Sequence, residues 1–179
     1  MRSFFIDFWK RVGFTMTSSS FLVRRMVSCI DFTGVEHIVE LGAGTGVLTR
    51  EIIRIMPEGA LLSVFEIDPI QTASLRKEFD HISAVTIYSH SAVDIETIFL
   101  PESIDVVIST LPLGSISHPW VGHILEATRN ILKSAWQFIQ YQYWMVNRRD
   151  VKKYFTIEST IFEPRNFWPA WIYRARKTK

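Results

Sequence analysis

Residues 39–50, VELGAGTGVLTR, most limit the folds open to this chain. The preceding run, 35–41, is short, apolar and rich in β-branched residues, the signature of a strand buried on both faces. In residues 45–56 the apolar positions 47, 48, 52, 53, 55 and 56 recur at helical spacing. The turn Gly42-Ala43-Gly44-Thr45-Gly46 joins the two. Glycines at alternate positions between a strand and a helix let a bulky ligand approach the backbone where side chains would block it.

The rest of the chain repeats that unit. Strands are expected at 35–41, 60–67, 84–89, 104–110, 135–143, 157–163 and 169–175. Helices are expected at 3–12, 19–30, 45–56, 69–79, 118–132 and 147–154, with the Ser18-Ser19-Ser20 cluster offering N-caps for the second. Alternating strands and helices imply an α/β fold with a parallel sheet covered on both faces. The last two strands have little between them and suggest an antiparallel hairpin. Residues 1–34 read as an N-terminal helical extension and 35–179 as the main domain.

Apolar content of 47% and aromatic content of 13% exclude a disordered chain. The lone Cys29 excludes an internal disulfide framework and fits a cytoplasmic setting. No apolar run approaches the roughly 20 residues that would span a bilayer. Charge is unevenly spread. Residues 1–30 carry a net +4 and residues 165–179 a net +5, on a chain whose total is +2. Basic ends on an acidic body suit an anionic surface, either membrane or nucleic acid, and for the C-terminal tail solubility alone is an equal reading.

In open α/β sheets ligands sit beyond the carboxyl ends of the strands. The second expected strand ends in Glu66, about twenty residues after the glycine turn, where an acid hydrogen-bonds ribose hydroxyls. A dinucleotide and S-adenosylmethionine both meet these requirements. Glu40, just before the turn, would repel a pyrophosphate and attract a sulfonium or amino cation. Gly42, Gly44 and Gly46 alternate, whereas the dinucleotide fingerprint needs its third glycine where Leu48 stands. Both details favour S-adenosylmethionine.

With these residues, VELGAGTGVLT and FEID, the chain resembles the class I S-adenosylmethionine-dependent methyltransferases. The resemblance implies a Rossmann-like seven-stranded, mostly parallel sheet with an antiparallel last strand. It implies that Glu40, Gly42, Gly44, Thr45 and Gly46 surround the methionine part of the cofactor. Glu66 and Ile67 would then hold the ribose, with Ser91, Ala92 and Ser109 completing the cofactor site. Ser91 stands where the class often has an acid near the adenine.

The acceptor loop is expected after the fourth strand, at Ser109-Thr110-Leu111-Pro112. Base N-methyltransferases usually open this motif with Asn or Asp and close it with an aromatic that stacks on the base. Here Thr110 and Leu113 hold those places, so nucleic acid is not an expected partner, although ELGAGTGVLT is similar to the ribosomal RNA adenine dimethyltransferases. TMTSSSFLVRRM, FIQYQY and NFWPAWIYRARK resemble stretches of the bacterial phospholipid N-methyltransferases. That resemblance adds Ser19 to the cofactor site, assigns Leu111, Pro112, Asn166 and Trp168 to the acceptor, and implies methylation of phosphatidylethanolamine towards phosphatidylcholine. Trp168 replaces a proline of the family's pattern. An RNA adenine N6-methyltransferase and a non-catalytic cofactor-binding module are the alternatives.

Methyl transfer is an in-line displacement that needs an oriented, neutral amine. Tyr141 and Tyr143 are the candidate catalytic pair, because a phenol can accept or relay the proton and aromatic faces suit the cationic product. Packing at a strand end is the other reading of both. His90 and His118 lack ligands at metal spacing, so no metal is expected. Phe4, Phe5, Phe8, Trp9 and Val12 share one helical stripe opposite Asp7, Lys10 and Arg11. Residues 1–12 therefore read as a dock on an anionic membrane surface, as a lid, or as both. The expected protein is a monomer, cytoplasmic and peripherally membrane-associated.

Overall fold

The computed structural model describes residues 19–143, 147–166 and 168–177. The expected helix at 3–12, with its membrane stripe, lies outside them. The described chain forms α1 (Ser20–Val27), β1 (His37–Leu41), α2 (Val47–Ile55), β2 (Leu61–Phe65), α3 (Pro69–Phe79), β3 (Val85–Tyr88), β4 (Ile104–Ser109), α4 (His118–Ile131), β5 (Leu132–Gln142), α5 (Arg148–Tyr154), β6 (Phe155–Glu163) and β7 (Ala170–Lys177). The seven strands make one sheet in the order β3-β2-β1-β4-β5-β7-β6. β1 pairs in parallel with β2 and β4, β2 with β3, and β4 with β5. β7 runs antiparallel between β5 and β6, the expected terminal hairpin. This is a Rossmann-like, mostly parallel sheet with the antiparallel last strand that the resemblance implied.

Burial on both faces explains the unbroken apolar runs of the central strands. One core lies beneath α1, α2 and α3, where Leu22, Met26, Ile52 and Leu75 meet Ile38, Val106 and Ile139. The other lies beneath α4 and α5, where Leu125 and Ile131 meet Phe138, Phe155 and Tyr173. Leu22 and Met26 are fully enclosed, so the described part of the extension expected at 1–34 shares a core with the main domain. Ser19 caps α1 by accepting a hydrogen bond from the Leu22 N–H at 3.2 Å. Asp68 does the same for α3, accepting from Ile70 and Gln71.

Of the boundaries that differ from expectation, two have evident local reasons. α2 starts at Val47 because Gly46 has φ +78°, a left-handed conformation that ends the turn rather than opening the helix. β5 starts three residues early, at Leu132, and then bulges. Its register against β4 jumps between Ile104 and Val106, and Ala135 there has φ +66°.

Candidate active site

The glycine turn, the end of β2 and the loop after β4 meet at the carboxyl edge of the sheet. Gly42 and Ala43 donate their N–H groups to the Phe65 carbonyl at 2.9 and 3.1 Å, which holds the turn against β2. Gly42 has φ +81°, and a Cβ placed on it would lie 2.9 Å from Leu111 Cδ2. A Cβ on Gly46 would lie 2.9 Å from Leu75 Cδ2. Glycine is thus required at these two positions by both backbone and space.

Glu66 ends β2 with both oxygens engaged. Oε2 accepts from the Gly44 N–H at 2.8 Å and Oε1 from the Asp68 N–H at 2.9 Å. Burial pushes its carboxyl above the usual range, while the N–H groups of Asp68, Gly44 and Ile67 pull it back. The acid read as a ribose ligand is therefore also the tie between the glycine turn and the next strand.

Glu40, on β1, is completely buried, and neither oxygen makes a hydrogen bond of normal geometry among the described residues. Burial pushes its carboxyl up to about 8, countered by the Thr49 hydroxyl nearby and reinforced by the Glu66 charge. A buried carboxylate without a partner costs several kcal/mol, so Glu40 keeps its proton in neutral solution, and an arriving cation would favour its ionised form.

An open cleft lies beside these groups. Six of the expected residues line it: Gly42, Glu66, Ile67, Ser91, Ala92 and Leu111. Phe65, His90, Ile116 and Ile124 line it too, and sequence reasoning missed them. Adjacency to Ser91 could have flagged His90, but Ile124 arrives from α4 and had no local signal. Ser91 accepts from the Val93 N–H at 3.4 Å and caps the short turn 92–97. Thr45 stands exposed on the glycine turn.

The acceptor loop is held from three sides. The Thr110 hydroxyl donates to the Gly42 carbonyl, joining this loop to the glycine turn. Ser109 is buried and accepts from the Leu111 N–H at 3.3 Å, so it shapes the loop from behind. The Leu111 carbonyl accepts from the carboxamides of Gln140 and Gln142 at 3.0 and 3.2 Å. Pro112 follows at partial exposure, and Leu113 is fully buried in the α4 core. The place a base-stacking aromatic would take is filled by a core side chain.

Tyr141 and Tyr143 face the α1 side of the sheet, hydroxyls 3.5 Å apart and rings edge to face at 5.3 Å. Tyr141 is core, Tyr143 half-buried, and neither lines the cleft beside Glu66. Ser19 and Asn166, from opposite ends of the sequence, do come together. The Ser19 N–H donates to Asn166 Oδ1 at 2.9 Å, and Asn166 Nδ2 donates to the Trp168 carbonyl at 2.9 Å. The Ser19 hydroxyl is spent on capping α1 and on the Arg165 carbonyl. Among the described residues no group of His, Cys, Asp and Glu could hold a metal.

The sheet order, the glycine turn and the paired acids define a class I S-adenosylmethionine-dependent methyltransferase, whose methyl donor is S-adenosyl-L-methionine. More narrowly, the chain belongs to the ribosomal RNA adenine dimethylase family, whose model matches residues 7–159. It is 30% identical over 167 residues to the ornithine lipid N-methyltransferase of Singulisphaera acidiphila, covering 90% of this chain and 86% of that protein. It is 30% identical over 119 residues to ribosomal RNA small subunit methyltransferase A of Methylococcus capsulatus, covering 65% of this chain and 44% of that protein. The match thus spans less than half of the ribosomal RNA enzyme's length.

Solved structures share the fold. N-methyltransferase NodS of Bradyrhizobium japonicum, in complex with S-adenosyl-l-homocysteine, superposes with a TM-score of 0.72 at 11% identity over 88% of this chain and 86% of that one. The 1,6-didemethyltoxoflavin-N1-methyltransferase of Burkholderia thailandensis gives 0.74 at 14% identity over 99% and 87%. Nucleic acid is not the expected partner of this sequence, yet the matching family is described by an RNA activity, so the RNA alternative stands.

The residues present fit the cofactor. Glu40 offers unpaired buried oxygens for a cation, and the turn offers backbone that a Cβ at Gly42 or Gly46 would obstruct.

Proposed function

We propose that this chain methylates the amine of a membrane lipid headgroup, with phosphatidylethanolamine and ornithine lipid as the acceptors to test. One observation carries the reading. The match to the lipid N-methyltransferase runs through nearly the whole of both proteins, 90% and 86%, whereas the match to the ribosomal RNA enzyme leaves more than half of that enzyme unmatched. The acceptor loop supports it, since Thr110 and the buried Leu113 offer neither the Asn nor the stacking aromatic of a base methyltransferase.

When bound, the cofactor supplies an electrophilic methyl on a cationic sulfur. Glu40 would face its cationic amino end, Glu66 its ribose hydroxyls, and Ser91 and Ala92 its base. The acceptor nitrogen must be neutral before its lone pair can attack, and partial burial near Leu111 and Pro112 would lower its pKa. The Tyr143 hydroxyl, backed by Tyr141, would take or relay the proton, and the rings would stabilise the methylated cation. Asn166 and Trp168 would bound the headgroup. A monomer in the cytoplasm, held at the membrane periphery through residues 1–12, completes the reading.

The family match favours a second reading, methylation of adenine in ribosomal RNA. Radiolabelled methyl transfer separates the two. Label in extracted lipid, resolving as methylated aminolipid, is the expected result. Label in ribosomal RNA and none in lipid overturns the proposal.

A further inference from the structure

Among the described residues six large apolar side chains stand 46–79% exposed, and two of them lie at one corner of the sheet. Phe21 lies in the first turn of α1 and is 49% exposed. Trp168, 46% exposed, lies in the turn from β6 to β7. The others are scattered: Leu61 opens β2 and Leu100 precedes β4, both at the opposite edge, Ile70 stands in α3, and Phe162 of β6 packs on Trp171 on the sheet face away from α1.

The corner is cationic as well as aromatic. The Arg165 guanidinium sits 5.0 Å from the centre of the Phe21 ring, and Arg24 and Arg25 are exposed one turn further along α1. The acids near them are few and already engaged. Glu163 is paired with Arg165 at 2.8 Å, and Glu51 with Arg54 at 2.7 Å. Arg24 and Arg25 thus leave the patch with excess positive charge. The Ser19–Asn166 hydrogen bond fixes α1 to the β6–β7 turn, so both halves of the patch are one rigid surface. β6 runs parallel to β5, which places that turn at the carboxyl edge with the glycine turn and the acceptor loop.

We propose that this corner, formed by Phe21, Arg24 and Arg25 of α1 with Arg165 and Trp168 of the β6–β7 turn, docks the protein on an anionic lipid bilayer. Half-exposed aromatics suit the headgroup boundary, and arginines beside them meet anionic headgroups. Docking here turns the carboxyl edge of the sheet towards the membrane, where a lipid amine could reach the acceptor loop. The inference deepens the lipid reading and places the contact on the folded body, in addition to any made by residues 1–12.

The test uses the full chain with Phe21→Gln, Arg24→Gln and Arg25→Gln combined. Affinity for phosphatidylglycerol-containing vesicles, read by sedimentation, should fall roughly tenfold or more. Cofactor affinity by calorimetry should stay unchanged, which reports that the fold is intact. Unchanged vesicle affinity overturns the proposal. A second measurement needs no loss of stability to be interpreted. A polarity-sensitive fluorophore on Ser20→Cys should shift to the blue with these vesicles, and the same label on Glu58→Cys, at the opposite edge, should not. No shift at position 20 overturns the proposal even if the protein sediments. Vesicle binding through this corner without methyl transfer to any lipid sinks the substrate reading and leaves the docking surface standing. Transfer to detergent-dispersed lipid without vesicle binding does the reverse.

Discussion

The backbone N–H of Gly44 donates to Glu66 Oε2 at 2.8 Å, across 22 residues of sequence. The same carboxylate receives the Asp68 N–H on its other oxygen, so it closes the cleft as well as facing it. Glu66→Ala should therefore do two things. It removes a charged acceptor for ribose hydroxyls, worth about 1.5–3 kcal/mol, or about tenfold to a hundredfold in cofactor affinity. It also frees the Gly44 N–H. Glu66→Gln keeps one acceptor oxygen and should lose less. Calorimetry giving wild-type affinity in both variants would remove Glu66 from the site.

That bond shows where sequence reading stops. The strands and helices were legible because a doubly covered parallel sheet writes itself as apolar runs alternating with amphipathic ones, and Gly42, Gly44 and Gly46 marked the turn. Glu66 was legible as an acid at a strand end, yet its grip on Gly44 was not, since only the folded chain brings them together. The Ser19–Asn166 bond spans 147 residues and left no local trace beyond two short motifs. Ile116 and Ile124 enter the cleft from the segment after β4, where apolar spacing signals only a helix face. The early start of β5 was hidden because its bulge at Ala135 breaks the period of two.

Glu40 should make stability fall as pH rises. Its folded-state value is raised from 4.5 to about 8, so between those limits the unfolded chain is ionised while the folded chain keeps its proton. Each pH unit in that window costs about 1.4 kcal/mol, and the loss levels off above it. Glu40→Gln abolishes the titration. Without cofactor the variant should melt higher than the wild type at pH 8, and the two should converge in mildly acid solution. At pH 8 the variant should also bind the cationic cofactor about tenfold more weakly, because a full charge partner is gone. Parallel melting curves at all pH values would place the Glu40 titration elsewhere.

Tyr143→Phe separates chemistry from packing. It leaves the ring against Tyr141 and removes only the hydroxyl that lies 3.5 Å from its neighbour's. If that oxygen handles the amine proton, kcat should fall about a hundredfold with cofactor affinity unchanged, and the loss should shrink at high pH, where the amine is already neutral. A wild-type rate on saturating lipid would return Tyr143 to a packing role.

Gly42→Ala should couple the cofactor turn to the acceptor loop. Gly42 has φ +81°, and its new Cβ would stand 2.9 Å from Leu111 Cδ2 and 3.4 Å from Thr110 Oγ1. The loop backbone is held, because Gln140 and Gln142 bind the Leu111 carbonyl and Thr110 is bonded to the Gly42 carbonyl itself, so relief must come from the Leu111 side chain or strain these bonds. The left-handed backbone alone costs about 1–2 kcal/mol for a residue with a Cβ. The clash adds to that and pushes the loop away from the turn. Gly59→Ala is the matched control: Gly59 has φ +83°, with nothing within 4 Å of its new Cβ. Both variants should lose stability, with a fall in Tm of about 2–4 °C for each kcal/mol. Only Gly42→Ala should lose cofactor affinity, tenfold or more by calorimetry, and methyl transfer with it. Equal cofactor affinity in the two would mean that the turn and the acceptor loop move independently, and that the Leu111 contact does not shape the site.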